Sequence, residues 1–235
     1  MSRFTDFMPA AYGRLYNGDE IAEHAAIAAR RGGQLVHAEI WQSSKGPLLC
    51  VVAQDRPGLL AFITDALLAQ GVTIQSAQAF CREVTREKAE AIDFLELRPS
   101  GAKGGPIQLD PDGLRAFIQF LTEVITDDMN QRAALSPSSS QSGAELPTRV
   151  YFERESFADG RYMLIVEAPD SNGLLHAVCS ALSAKGMRIM ACLINTVGGQ
   201  ANDRFELEPS SLSALSESEL FDVQLAVLDA LPSRH

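Results

Sequence analysis

An unbroken apolar run, PLLCVVA (Pro47–Ala53), passes through Asp55-Arg56-Pro57-Gly58 into a segment that is apolar every three to four residues: Leu59, Leu60, Ile63, Leu67 and Leu68. The run reads as a central strand, and the spacing that follows predicts an amphipathic helix with one stripe on a core. Gly71 stands where that helix should end, because glycine accepts the left-handed backbone of a C-terminal cap. Val72–Phe80 alternates apolar and polar residues, as a strand with one covered face does. A polar connection, Arg82–Glu90, leads to another strand over Ala91–Arg98. Leu114, Phe117, Ile118, Phe120, Leu121, Val124 and Ile125 then predict a second helix with a broad apolar face. A shorter strand, Gln34–Gln42, precedes all of this across the turn Ser43-Ser44-Lys45-Gly46.

The same pattern is written a second time. Gly173 and Gly186 stand to IVEAPDSNGLLHAVCSALSAKG (Ile165–Gly186) as Gly58 and Gly71 stand to the first segment, at a constant offset of 115 residues. Arg149–Ser156 matches the opening strand, Arg161–Ala168 the central strand, and Leu174, Leu175, Val178 and Leu182 the helix. Met187–Thr196 follows, then Asp203–Pro209, which echoes Asp93–Pro99 at an offset of 110, so the second hairpin is five residues shorter. A last helix spans Glu217–Leu231. Repetition at this length reads as a repeated domain. Residues 1–33 form an N-terminal extension with a helix, 34–132 and 148–235 the two copies, and the serine-rich stretch 133–147 a linker.

Each copy reads as βαββα with one extra strand in front. Two helices on one face of a small antiparallel sheet make an α+β sandwich, so the expectation is two ferredoxin-like units, each sheet covered on one face. The leading strand either pairs locally as a hairpin or exchanges with the other copy; the sequence leaves both open. Two units in one chain could pair their edges internally, yet an open edge at Ala91–Arg98 or Gln34–Gln42 would still invite pairing, which allows a monomer with an internally paired core or a homodimer.

Composition narrows function. The 235 residues are 46% hydrophobic, enough for a core, and the net charge of −10 argues against binding a nucleic-acid backbone or an anionic membrane. No run of about 20 apolar residues is present, and the N-terminus lacks a signal-peptide pattern, so the expected location is cytoplasmic. Cys50, Cys81, Cys179 and Cys192 lie among apolar neighbours as core residues. His176, Cys179 and Cys192 fall short of a four-ligand metal set, and His176 is expected to be partly exposed. Glu87, Glu90 and Asp93 read as a solvated hairpin, and Gly101–Gly105 lacks the spacing of a phosphate loop. With no nucleophile–base pair in sight, no enzyme and no cofactor are expected.

AQDRPGLLAFITDALLAQGVTIQSAQAF resembles an ACT domain, the small βαββαβ regulatory module that often binds amino acids. The second copy, from Val150 through Asn195 and Thr196, looks like the second of the two ACT domains that end the bacterial PII uridylyltransferases. Asp19–Arg31 is similar to the helix preceding the first of that pair. The resemblance implies a small amino acid such as glutamine as ligand, held near the strand-to-helix turns, and an unidentified protein partner; it leaves the catalytic regions of that family without counterpart. Stand-alone double-ACT regulators suggest the alternative of a ligand-independent assembly or transcription-regulatory module.

The turns themselves suit a zwitterion. Asp55 is placed to cap helix amides, Pro57 suits a first turn, and Gly58 lets a backbone or ligand approach closely. Amides at the start of the helix can hold a carboxylate. Asp55, Arg56, Pro57, Gly58 and Leu59 are therefore candidate ligand contacts, with Asp170, Asn172, Gly173 and Leu174 their counterparts. Gln78 and Asn195 are polar candidates on the strands that follow. An alanine at a helical Gly58 is expected to obstruct the ligand while leaving folding intact; at a Gly58 with positive φ, or packed against a strand, it would instead lower the melting temperature of the ligand-free protein.

Overall fold

The computed structural model describes residues 4–85, 88–100, 107–126, 147–153, 160–211 and 213–232. Linker residues 133–146, the Gly101–Gly105 loop, Glu87 and the expected strand end at 154–156 lie outside them. After a single 3₁₀ turn at Phe4–Phe7 come α1 (Tyr12–Leu15) and α2 (Gly18–Arg31). The first copy comprises β1 (Val36–Ser43), β2 (Gly46–Gln54), α3 (Leu59–Leu68), β3 (Val72–Thr85), β4 (Lys88–Pro99) and α4 (Pro111–Thr126). The second comprises β5 (Arg149–Phe152), β6 (Tyr162–Pro169), α5 (Leu174–Ala184), β7 (Met187–Val197), β8 (Gln200–Pro209) and α6 (Glu217–Ala230).

The two expected sheets are one. All eight strands form a single antiparallel sheet in the order β1-β2-β4-β3-β7-β8-β6-β5. Each copy contributes the same four-strand order, and they meet through β3 and β7, where Ser76–Phe80 pairs with Asn195–Ala191. This pairing satisfies the backbone edge that β3 would otherwise leave open: the second copy supplies the partner strand. The leading strands resolve as local hairpins, β1 with β2 and β5 with β6. Ala91–Arg98, expected as an open edge, lies inside the sheet between β2 and β3. The polar connection Arg82–Glu90 is mostly strand, because β3 and β4 extend their ladder to Thr85 and Lys88.

Helices α3, α4, α5 and α6 cover one face, where Ile63, Leu67, Leu95, Phe117, Leu121, Val178, Leu182, Phe205 and Val227 are buried. The expectation of a single covered face fails over the first copy. Tyr12, Ile27 and Ala28 of the N-terminal extension bury Trp41, Cys50, Val52, Phe80, Ile92 and Phe94 on the opposite face. Strand alternation makes this necessary: PLLCVVA is apolar at every position, so both of its faces need cover. Helix α2 is fixed at its start by a capping box in which Asn17 accepts from the Glu20 amide and Glu20 accepts from the Asn17 amide. It carries His24, fully buried among Tyr12, Tyr16, Trp41 and Phe94. The Tyr12 hydroxyl lies 2.7 Å from His24 Nδ1, while Nε2 has no hydrogen-bond partner among the described residues. Burial pushes this imidazole down to about 4.

A cleft on each side of the seam

Because β3 joins β7, helices α3 and α5 lie side by side over the seam and each copy's strand-to-helix turn abuts the other copy. His176 on α5, expected to be partly exposed, is buried here: its Nδ1 is 2.9 Å from the Asp65 carboxylate on α3. That contact pushes the histidine pKa up against the opposing effect of burial. Two clefts flank this helix pair. Both are shallow and partly open to solvent.

The first cleft is walled by Asp55, Arg56, Pro57, Gly58 and Leu59 of the first turn, and by Cys179, Ser183, Met187, Arg188 and Ile189 of the second copy. The second is walled by Asp170, Ser171, Gly173 and Leu174 of the second turn, and by Thr64, Leu67, Leu68, Thr73 and Ile74 of the first copy. The clefts are thus related by the repeat, each shared between both halves. Each turn is tied across the seam. Arg188 Nη2 is 3.8 Å from the Asp55 carboxylate, and Arg98 donates to Asp170.

The turn geometry differs from the expected cap. The residue starting α3 is Gly58 and the one starting α5 is Gly173, at φ 78° and 83°, and no side chain caps either helix. Asp55 instead accepts from the Cys81 thiol at 3.2 Å, and its own amide donates to the Ala89 carbonyl at 3.0 Å. The Arg56 guanidinium donates to the Ile125 carbonyl at the end of α4, so it braces that helix while its stem lines the cleft. Asn172 does not line the second cleft. Gln78 and Asn195 line neither. Gln78 points to the opposite face of the sheet and accepts from the Tyr16 hydroxyl. Asn195 alternates with the helix-facing Ile194, and its backbone amide donates to Asp203 at 3.3 Å.

Two acidic residues complete the clefts, and the sequence reading passed over both. Asp93 on β4 lines the first and is 3% exposed; Asp203 on β8 lines the second and is 1% exposed. They are the matching first residues of DFLELRP and DRFELEP. Burial, with Asp55 nearby, pushes Asp93 up to about 8, against the pull of a hydrogen bond from the Phe80 amide. Burial pushes Asp203 up to about 7, against the Asn195 amide. The hairpin reading also failed for Glu90, which is 5% exposed and held at 2.8 Å by Arg31 and by Arg82. The available signal was strand alternation: Asp93 stands two residues from both Ala91 and Leu95, on the apolar face that meets the helices.

No family model matches the chain. Distant relatives cover most of it. A bifunctional uridylyltransferase/uridylyl-removing enzyme of Cupriavidus pinatubonensis is 25% identical over 185 residues, 77% of this chain and 20% of the relative. Its namesakes from Caulobacter vibrioides and Thiobacillus denitrificans are 25% identical over 210 residues and 23% over 221. These cover 86% and 92% of this chain, and 21% and 25% of the relatives. The chain is similar to one region of these enzymes and spans a fifth to a quarter of their length. No helix among the described residues is long and apolar enough to cross a membrane.

Gly58 takes the positive φ under which alanine is not harmless to folding. A Cβ on this left-handed residue would lie 3.2 Å from Phe62 Cε2 and 3.3 Å from Ser183 Oγ. The backbone conformation alone disfavours an L side chain by about 1–2 kcal/mol. Gly58→Ala is therefore expected to lower the melting temperature of the ligand-free protein in calorimetry. A variant melting with the wild type would show that the turn relaxes to accept a side chain.

Proposed function

We propose that this chain is a non-enzymatic regulatory unit, a pair of ACT domains that binds a small amino acid in the two seam clefts. The observation that carries this reading is the repeat-related pair of clefts, each walled by one copy's turn and the other copy's helix and strand. A ligand lodged there touches both halves at once. It therefore favours one arrangement of the halves over others, and so changes the surface offered to a protein partner. In the first cleft Arg188 suits the ligand carboxylate. Its contacts to Asp55, Glu83 and Glu208 span 3.5–3.9 Å and its Nη2 lies 3.8 Å from the Cys81 sulfur, all long contacts that a ligand carboxylate can displace.

The resemblance to the ACT pair of PII uridylyltransferases implies a setting in nitrogen regulation, with glutamine as the first ligand to try and the cytoplasm as the proposed location. This chain would correspond to a region of those enzymes that senses, apart from any that transfers or removes a uridylyl group. The test is titration calorimetry of the folded protein against the twenty standard amino acids. At least one should bind saturably, with up to two sites per chain; uniform silence would refute the sensor reading and leave the ligand-independent module.

A further inference from the structure

Each cleft contains a feature that stability alone does not account for. A buried carboxyl in a protein interior is ordinarily paired with a cation, as Glu90 is with Arg31 and Arg82. Asp93 and Asp203 are as deeply buried, yet among the described residues neither takes part in an ion pair. Each has a backbone amide for company, from Phe80 and Asn195. They occupy the same position in the two copies, and each lines its cleft beneath the turn. An asparagine or a small apolar residue there would spare the fold a buried acid. The acid therefore fits a role that only a carboxyl fills, and the missing partner is a cation that comes and goes.

We infer that Asp93 and Asp203 are the specificity-determining residues of the two clefts, each receiving the primary ammonium group of the ligand. This rests on the amino-acid reading above and adds the group that enforces it. In the empty cleft the carboxyl holds its proton. On binding, the ligand enters as its ammonium ion, the carboxyl gives its proton to solvent, and the resulting carboxylate pairs with the ammonium. The cleft gains a positive charge from the ligand and loses one as H⁺, so its net charge is unchanged apart from the ligand carboxylate, which Arg188 meets in the first cleft. Burial of the ion pair is acceptable because the two charges compensate each other.

The other ionisable groups around each carboxyl are consistent with this. Asp55, Arg56, Arg188, Cys81 and Cys179 share the first cleft with Asp93. Asp55 opposes ionisation of Asp93, and Arg188, in long contact with Asp55, forms no ion pair with Asp93. Burial pushes both thiols well above their ordinary range, so neither competes to lose a proton. In the second cleft Asp170 opposes ionisation of Asp203, and His176 is occupied with Asp65. A ligand ammonium supplies the positive charge that is lacking. A deaminated acid of the same shape offers no ammonium to pair with the carboxyl and binds more weakly.

The experiment is calorimetry near neutral pH with L-glutamine and with its deaminated analogue 4-carbamoylbutanoate, repeated in two buffers of different protonation enthalpy. If glutamine is silent, the amino acid found to bind in the panel and its own deaminated acid take their place. Binding should release most of one proton in the first cleft and about half of one in the second, and the deaminated acid should bind at least about tenfold more weakly. Asp93→Asn should weaken one site about tenfold or more and abolish its proton release, and Asp203→Asn should do the same to the other. Amino-acid binding without proton release, or with equal affinity for the deaminated acid, overturns the inference while the sensor reading stands; these readouts need no variant to fold. A wild type that binds none of the twenty defeats the sensor reading and this inference together.

Discussion

Asp93→Asn is expected to stabilise the ligand-free protein, with a gain that is small near pH 4, grows through neutrality and levels off above about pH 8. The sign follows from the raised pKa. Below 3.8 the carboxyl is neutral in both folded and unfolded chains and has no effect on the pH profile. Between 3.8 and about 8 the unfolded chain ionises while the buried acid does not, so stability is lost steadily as pH rises. A rise from 3.8 to about 8 corresponds to an upper bound of about 6 kcal/mol at full ionisation. Asparagine has no such penalty and retains an acceptor for the Phe80 amide. Urea unfolding of wild type and variant at several pH values measures the difference directly. A constant offset across the range would show that Asp93 titrates as an exposed acid does. Stabilisation by removing a cleft residue is the usual sign of a group kept for binding rather than for folding.

The second large effect has the opposite slope. His24 is fully buried in an aromatic cage on the far face of the sheet, and its imidazole is held down to about 4. The unfolded histidine takes up a proton near 6.5, so stability conferred by the neutral form is complete above that pH. It falls away as pH drops through the interval to about 4, by up to about 3 kcal/mol. His24→Phe fits an aromatic cage formed by Tyr12, Tyr16, Trp41 and Phe94. It forfeits the contact with the Tyr12 hydroxyl, a fixed loss at every pH. The expected result is a urea midpoint that no longer declines between neutrality and about pH 4.5 relative to wild type. Because Asp93 acts in the other direction over the same interval, the comparison is cleanest in an Asp93→Asn background. Parallel profiles for the two proteins would mean that the cage opens before His24 is protonated.

The repeat, the two strand-to-helix turns and nearly every element were legible because periodicity is local: apolar spacing around Leu59–Leu68 and Leu174–Leu182 is enough to write a helix. What stayed hidden depends on partners far away in sequence. Nothing local says that Ser76–Phe80 will pair with Ala191–Asn195, and without that seam the two sheets remain separate in the mind. The seam also decides the clefts, since Arg188 and Ser183 reach the first turn only across it. The doubly apolar PLLCVVA did carry a hint of cover on both faces, which the N-terminal extension answers. Asp93 was misread because its acidic neighbours Glu87 and Glu90 drew the eye to a hairpin tip. Its phase on the strand, shared with Ala91 and Leu95, marks it as buried. The polar residues chosen as site candidates, Gln78 and Asn195, were selected by proximity to the strand's end, and alternation turns both away from the clefts.

Joining both halves of each cleft in a single polypeptide frees the response from the amount of protein present. Two separate chains that met through β3 and β7 would come apart on dilution, and their clefts would vanish with the interface. Here the second half is delivered to the first within the same chain, at an effective concentration rather than by a bimolecular encounter. The ladder from Ser76 to Phe80 is therefore closed by an intramolecular step. Under the proposed function, half-saturation at a given pH should then be the same at low and high protein concentration.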